Sequence, residues 1–188
     1  MKKLFLSLVI LTSAALSQAQ TTWNCDPSHS SITFSVGYLG ISNVTGHFGK
    51  YSGNLTSSNS DFNDAKFDFI VDVSSINTGI DARDNHLKSA DFFDVDTHPK
   101  MSFKTTSFKK IKKNTYKLEG NMTIKGVTQK MSFDVSYGGT ASDNYGNERV
   151  GFMISGKVKR SDFQINGGKG IVGDEVSFTL NFNFIKSK

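Results

Sequence analysis

The sequence contains little of what cross-linked or metal-bound domains depend on. Among its 188 residues there is a single cysteine, Cys25, so an internal disulfide is excluded. The histidines His29, His47, His86 and His98 are widely spaced and form no zinc-binding pattern. We therefore expect no metal and no other cofactor. A disulfide between two chains, and so a homodimer, is the one cross-link that the sequence leaves open.

The sequence also lacks a strong excess of either charge. Without Lys2 and Lys3, which belong to the N-terminal segment, 20 Lys and Arg residues stand against 17 Asp and Glu residues, a net charge of +3. A balance this mild does not indicate a nucleic-acid partner. The glycine-rich stretch 166–173 leads into a strand pattern and has no Gly-Lys-Ser or Gly-Lys-Thr ending, so we interpret it as a loop that binds no phosphate.

Long hydrophobic runs are absent after residue 16. The chain begins with a short basic start at residues 1–3, followed by the apolar run 4–16 and the small-residue stretch 17–19. These features predict a cleaved signal peptide at residues 1–19 and one mature domain at residues 20–188. We therefore expect a periplasmic or secreted protein. No later stretch approaches the roughly 20 apolar residues of a transmembrane helix, so we expect no stable membrane insertion.

The sequence is rich in apolar residues at every second position. The last such run places Val176, Phe178, Leu180, Phe182 and Phe184 on one face of a strand. Similar patterns predict strands at residues 32–36, 65–73, 101–108, 115–124, 129–137 and 149–158. Because short turns make neighbouring strands antiparallel, we predict an all-β, eight-stranded antiparallel barrel. Residues 81–88 have an acidic first turn and predict one short helical insertion.

The interior of such a barrel is either filled by side chains or left open for an apolar guest. We favour the guest and predict that the ligand-binding wall consists of Phe34, Val36, Phe67, Phe69, Val71, Phe133, Phe152, Ile154, Phe178, Leu180 and Phe182. A filled barrel with a structural role in the envelope is one alternative. An outer-membrane barrel is another, and its inverted wall would place the charged residues of the other face in the lumen: Lys66, Asp68, Asp72, Lys104 and Glu119.

Residues for nucleophilic catalysis form no recognisable arrangement. Ser28 and His29 stand near Asp26, but neighbours along a strand point to opposite faces and cannot form a relay. We interpret this segment as a turn whose side chains bond backbone groups, and we expect no enzymatic activity. An enzyme that uses Asp84, His86 or His29 as an acid or base on a hydrophobic substrate is the remaining alternative.

Four polar residues stand out from the apolar pattern. Arg83, Asp84 and His86 lie in the predicted helix, and Arg160 follows a predicted strand. They either form a network that fixes the helix or contact the head group of a ligand at the barrel mouth. The sequence does not choose between these roles.

Several motifs, in a fixed order, extend over nearly the whole mature chain. They are WNCDPSHS (23–30), ITFSV (32–36), GHF (46–48), SINTG (75–79), RDNHLKSADFFDV (83–95), HPKMSF (98–103), GNMTIKGVT (120–128) and RSDF (160–163). In order and spacing they resemble the YceI-like family of secreted, lipocalin-like polyisoprenoid-binding proteins.

The resemblance implies a barrel that holds a long isoprenoid or a similar amphiphilic lipid in its interior, with no enzymatic activity. The chain departs from that pattern at two places. Residues 37–40 read Gly-Tyr-Leu-Gly where relatives often carry Lys-His before Leu-Gly, and Lys125-Gly126 stands where they often have His-Gly. Both departures concern the recognition of the head group and leave the expected fold unchanged.

Overall fold

The computed structural model describes residues 20–187 and shows a closed antiparallel β-barrel with one helix. The predicted signal peptide, residues 1–19, lies outside the described residues. The helix occupies the predicted residues 81–88, and no helix in the described part of the chain is long and apolar enough to cross a bilayer. The elements are β1 (Thr21–Cys25), β2 (Ser31–Tyr38), β3 (Ser42–Phe48), β4 (Tyr51–Ser57), β5 (Lys66–Asp72), β6 (Ile76–Asn77), α1 (Asp81–Lys88), β7 (Lys100–Lys112), β8 (Thr115–Ile124), β9 (Val127–Ser142), β10 (Glu148–Lys159) and β11 (Val172–Lys186).

These eleven strand segments form eight barrel strands, because three of the barrel strands are interrupted and so consist of two segments each. A 3₁₀ turn at Pro27–His29 separates β1 from β2, residues 49–50 separate β3 from β4, and a 3₁₀ turn at Val73–Ser75 separates β5 from β6. In the first turn the Asp26 carboxylate accepts a hydrogen bond from the Ser28 amide, as predicted for this segment. The predicted eight-stranded antiparallel barrel is confirmed.

The sheet closes because β11 pairs with both parts of the first barrel strand. Cys25 in β1 lies opposite Phe184, and Phe34 in β2 lies opposite Phe178. The other strands pair in the order β4, β5, β7, β8, β9, β10 and β11, while β3 and β6 continue the wall beside β2. Closure satisfies backbone groups that an open sheet would leave unpaired at its edges.

Apolar side chains face the barrel interior, and polar side chains face outward. On β5, Phe67 is fully buried while its neighbours Lys66 and Asp68 are exposed. Lys104 and Glu119 on β7 and β8 are exposed as well. The inverted wall considered in the sequence analysis, with these charges in a lumen, is therefore wrong.

A continuous network of aromatic rings fills one half of the interior, which we call the packed half. Neighbouring rings stack, meet edge to face or pack at intermediate angles, with centroids from 4.1 Å to 6.4 Å apart. Such pairs stabilise a core beyond the area that they bury. The network consists of Trp23, Tyr51, Phe62, Phe67, Phe69, Phe108, Tyr116, Tyr137, Phe152, Phe182 and Phe184.

The loop between β4 and β5, residues 58–65, closes the end of the packed half. Phe62 points inward from this loop, is buried, and meets the ring of Phe152 edge to face at 5.5 Å. The Tyr116 hydroxyl donates a hydrogen bond of 2.6 Å to the carbonyl oxygen of Asp61, which fixes the loop against β8. The buried ring of Phe62 and its aromatic neighbours therefore close this end of the barrel.

The single thiol, Cys25, is half-buried at the end of β1. Its Sγ lies 3.7 Å from the Ser30 hydroxyl oxygen, and burial raises the pKa of the thiol. Because the thiolate is the form that reacts, the burial of the thiol and its raised pKa slow disulfide exchange with a second chain.

An ion-pair network on the outside joins the kinked first strand to the turn between β9 and β10. Arg149 donates hydrogen bonds to Asp26 at 2.7 Å, to Asp143 at 2.8 Å and to the Asn183 side chain at 3.0 Å. The bond from Arg149 is the main cause that lowers the pKa of Asp26 to about 2. Bonds from Asn147 and Arg149 also lower the pKa of Asp143.

This network predicts a loss of stability in acid. A carboxylate whose folded-state pKa is lowered stabilises the fold above its unfolded-state pKa, near 4, and this contribution is lost as the pH falls toward 2. We expect the melting temperature, followed by circular dichroism, to fall between pH 5 and pH 2.

Arg149→Met should lower the melting temperature at pH 7 and make the decrease in acid smaller. Lys117→Met is the matched control, because it removes an exposed pair with Asp134 that contributes little. An acid transition of unchanged size in Arg149→Met would show that other carboxylates cause it.

Candidate functional site

The other half of the barrel, which we call the hollow half, contains a partly open cavity of about 200 Å³ that side chains leave unfilled. The atoms that face the empty space are apolar. Aromatic rings in this half form two separate groups, one of Phe34, Phe48 and Phe93, the other of Phe103, Phe133 and Phe178. All six border the cavity. The barrel is therefore neither filled throughout nor open throughout.

Glycines at inward positions let phenylalanine rings lie flat against the barrel wall. A Cβ atom at Gly156 would lie 2.6 Å from the ring of Phe133 and 2.9 Å from the ring of Phe178, too close for any side chain. Three further pairs show the same close approach: Gly46 with Phe34, Gly53 with Phe69, and Gly120 with Phe103. In the hollow half, Phe34, Phe103, Phe133 and Phe178 lie in this way against the backbone of the wall and stop short of the barrel axis, whereas Phe69 lies at the boundary with the packed half. In the hollow half the axis stays empty.

Two stretches, residues 78–99 and 160–171, cover the open end, and we call them the mouth segments. The first contributes Leu87, Phe92 and Phe93 to the cavity wall, and the second contributes Phe163 and Ile165. With Ile124 at the end of β8, Phe92, Phe163 and Ile165 form a small separate core. Access to the cavity therefore depends on how the mouth segments pack.

Polar contacts hold the two mouth segments together. The Gly167 amide donates to the carbonyl oxygen of Asp91 at 3.1 Å. Lys125, in the turn between β8 and β9, donates from its Nζ to the carbonyl oxygens of Ala90 at 2.9 Å and Gln164 at 3.5 Å. Lys125 thus has a structural role in this chain.

The structure places ten of the eleven predicted lining residues at the cavity. They are Phe34, Val36, Phe67, Phe69, Val71, Phe133, Ile154, Phe178, Leu180 and Phe182. Their contact with a ligand stays a prediction.

Phe152 does not border the cavity, and its assignment to the cavity wall is corrected. Its ring lies in the packed half and contacts the rings of Phe62, Phe67 and Phe108. Alternation along β10 correctly predicts that Phe152 points inward. It carries no information about depth along the barrel axis, which the tilt and register of the strands determine.

Arg83 and Asp84 contact the chain itself. Arg83 donates from Nε to the Thr78 hydroxyl at 2.7 Å and from Nη2 to the Thr78 carbonyl at 2.8 Å. Asp84 is buried and accepts hydrogen bonds from the Thr78 amide and hydroxyl. These contacts favour the first of the two roles considered from the sequence, a network that fixes α1.

His86 and Arg160 occupy different environments at the mouth. His86 is exposed, lies 3.1 Å from the Asp91 carboxylate, and meets the Phe92 ring edge to face. Arg160 borders the cavity and donates to four backbone carbonyl oxygens, those of residues 165 and 167 in the following loop and those of residues 172 and 173 at the start of β11. Burial lowers the pKa of its guanidinium. Arg160 is the only charged side chain in the described cavity wall.

The candidate acid–base residues do not assemble a catalytic site at the cavity. Asp26 and His29 pair at 2.7 Å within the first 3₁₀ turn, where the His29 side chain is exposed and Asp26 also binds Arg149. Neither of these residues borders the cavity, and neither do the other two candidates, Asp84 and His86. Among residues 20–187, no group of three His, Cys, Asp or Glu side chains has a metal-binding arrangement.

Sequence reasoning missed two sets of residues that shape the cavity. The first is the inward glycines: on β10 the alternating residues Val150, Ile154 and Val158 leave position 156 to glycine, and on β8 the pattern leaves position 120 to glycine. A glycine at an inward position of an otherwise apolar alternating pattern was therefore the available sequence signal for the cavity. The second set lies in the two mouth segments, for which strand periodicity gives no signal: Leu87, Phe92, Phe93, Phe163 and Ile165.

The close approach at Gly156 predicts that a methyl group there reduces the cavity. In Gly156→Ala the Cβ displaces the rings of Phe133 and Phe178 toward the barrel axis. We expect affinity for an apolar fluorophore, N-phenylnaphthylamine, to fall by about tenfold or more, which corresponds to roughly 1.4 kcal/mol. Gly151→Ala on the same strand is the control, because a Cβ there meets nothing within 4 Å. Equal affinities in two folded variants would contradict the role of Gly156.

Comparison with known proteins identifies the family of this chain and supports its fold. The YceI-like domain model matches residues 23–184. A UPF0312 protein of Staphylococcus aureus is 34% identical over 171 residues, covering 87% of this chain and 97% of that protein. Two solved structures share the fold: BcnA of Burkholderia cenocepacia (TM-score 0.77, 21% identity, 85% of this chain and 98% of that one) and a polyisoprenoid-binding domain from Saccharophagus degradans (TM-score 0.70, 13% identity, 88% and 98%). Since the family model spans most of the sequence, this chain belongs to the YceI-like family.

Proposed function

We propose that the protein binds and carries a polyisoprenoid or a similar long-chain amphiphilic lipid, with the apolar chain inside the hollow half. The observation that carries this proposal is the apolar cavity, which has no polar atom on its accessible wall. Apolar cavities exclude water and accept apolar guests. The polyisoprenoid-binding domain of similar fold supports the same class of ligand.

Burial of the chain supplies the binding free energy. Each buried methylene contributes roughly 0.8 kcal/mol, so one isoprene unit of five carbons contributes on the order of 4 kcal/mol before ordering costs are subtracted. Immobilising a flexible chain offsets part of this gain. A few buried units suffice for firm binding, and specific polar contacts are not required for affinity.

The cavity enlarges when a long chain binds. Its volume of about 200 Å³ is smaller than the roughly 300–1,000 Å³ of typical ligand pockets. Met101 and Met122 border it near the mouth, and methionine side chains adapt readily to a new shape. Leu87 and Phe93 belong to a mouth segment outside the sheet, so they move without breaking strand pairing. The cavity therefore enlarges at the mouth to accommodate the ligand.

The polar end of the ligand lies at the mouth. The opposite end of the barrel is closed by the packed half, so a chain enters only from the side of the mouth segments. Arg160 borders the cavity there, and His86 is exposed nearby in the same covering layer. In this orientation the head group meets solvent and these two side chains, which orient the ligand.

The carrier role predicts that the protein retains its ligand through purification. Protein isolated from its native host without detergent, then denatured and extracted, should release about one apolar-chain lipid per protein, identified by mass spectrometry. Gly156→Ala, prepared in parallel, should release less, and Gly151→Ala should match the natural protein.

Two results together would contradict a carrier role. The first is an extract without lipid. The second is a delipidated protein that takes up neither prenyl alcohols nor fatty acids from vesicles. That pair of results would favour a structural protein whose cavity has no guest.

We also propose that the domain acts in the periplasm or outside the cell after residues 1–19 are removed. The basic start, the apolar run and the small-residue ending of that segment support export. Osmotic release should yield a soluble chain whose intact mass corresponds to a start at Gln20. A full-length chain confined to the cytoplasmic fraction would contradict this location.

A further inference from the structure

The boundary between the packed and hollow halves is formed by three phenylalanines. Phe67, Phe69 and Phe182 border the cavity and also belong to the aromatic network beneath it. Phe69 and Phe182 stack face to face, with centroids 4.1 Å apart and planes inclined by 10°. Both side chains are almost fully buried.

The stacked pair spans the interior. Phe69 comes from β5 and Phe182 from β11, and these strands do not pair with each other, because β1 and β4 lie between them on that side of the wall. A chain that advances along the barrel axis therefore meets these two rings before it can reach the packed half.

Contacts with the packed half and with the barrel wall hold the pair in place. The Phe184 ring lies 5.8 Å from Phe69 and 5.9 Å from Phe182. Phe69 rests on Gly53, where a Cβ atom would lie only 2.5 Å from the ring, so the ring cannot retreat further into the wall. The mouth, lined by methionines and by segments outside the sheet, has no such support. The cavity can widen at the mouth but cannot deepen.

We propose that the Phe69–Phe182 pair is a floor that fixes how many carbons of an apolar chain the barrel admits, and so selects ligands by chain length. This inference rests on the proposed lipid-binding function. It assigns to these two residues a specificity role that differs from that of the other lining residues, which contribute affinity at any depth.

The test measures affinity against chain length. Geraniol, farnesol and geranylgeraniol, which differ by one prenyl unit each, compete with N-phenylnaphthylamine for the delipidated protein. In the natural protein we expect affinity to rise with length and then level off. Phe182→Ala removes six carbons, about the size of one prenyl unit. The chain length above which affinity stops rising should therefore increase by one unit, and the next longer alcohol should bind about tenfold more tightly than it binds the natural protein.

Three further variants make the result specific. Phe69→Ala should act like Phe182→Ala. Val71→Phe adds a ring at a half-buried position on the same inward face, two residues from Phe69 toward the mouth. It should shorten the chain length at which affinity stops rising, and this test remains if both deletion variants fail to fold. Phe62→Ala deletes a ring of the packed half that does not contact the pair, and should leave the length profile unchanged.

The outcomes separate this inference from the proposed function. An unchanged profile in Val71→Phe and in the folded deletion variants overturns the floor and leaves lipid binding intact. A natural protein that binds no alcohol of any length overturns both. A profile that shifts equally in Phe62→Ala shows that general loosening of the packed half, and not the floor, sets the length.

Discussion

The hollow half of this barrel depends on the close approach of phenylalanine rings to glycine backbone. An eight-stranded barrel has an interior that side chains are just able to fill, and this chain supplies enough aromatic residues to do so. At Gly46, Gly120 and Gly156 the absence of a side chain lets neighbouring rings lie along the wall. The same residue types that fill the packed half therefore enclose an empty axis in the other half.

This division assigns stability and binding to different ends of one domain. In the packed half, stacked and edge-to-face rings together with the loop that carries Phe62 close the barrel without a disulfide. At the other end, the covering segments are held by a small apolar core and by a few hydrogen bonds such as those from Lys125. The proposed carrier role needs this asymmetry, because one end must stay closed while the other admits and releases a chain.

Much of the fold and part of the site were predictable from the sequence. Alternation predicted the long strands and their inward faces, and the helix at residues 81–88 was found where its acidic first turn indicated. The short segments β1, β3 and β4 were not predicted, because kinks and inward glycines interrupt their apolar pattern. Phe152 was assigned to the cavity because alternation gives direction and not depth. Arg83 and Asp84 were left between two roles, and their contacts with Thr78 show a structural one.

The sequence by itself determined that the chain forms a β-barrel whose wall has one apolar and one polar face, because a period of two fixes which side chains share a face; the structure decided that the apolar face is the inner one. Its motifs also determined the family. Only the tertiary structure decided where that interior is empty. The depth of each ring depends on register, strand tilt and the residue opposite, and these are long-range relations such as Phe178 against Gly156 or Phe69 against Phe182. No local pattern along the chain encodes those distances.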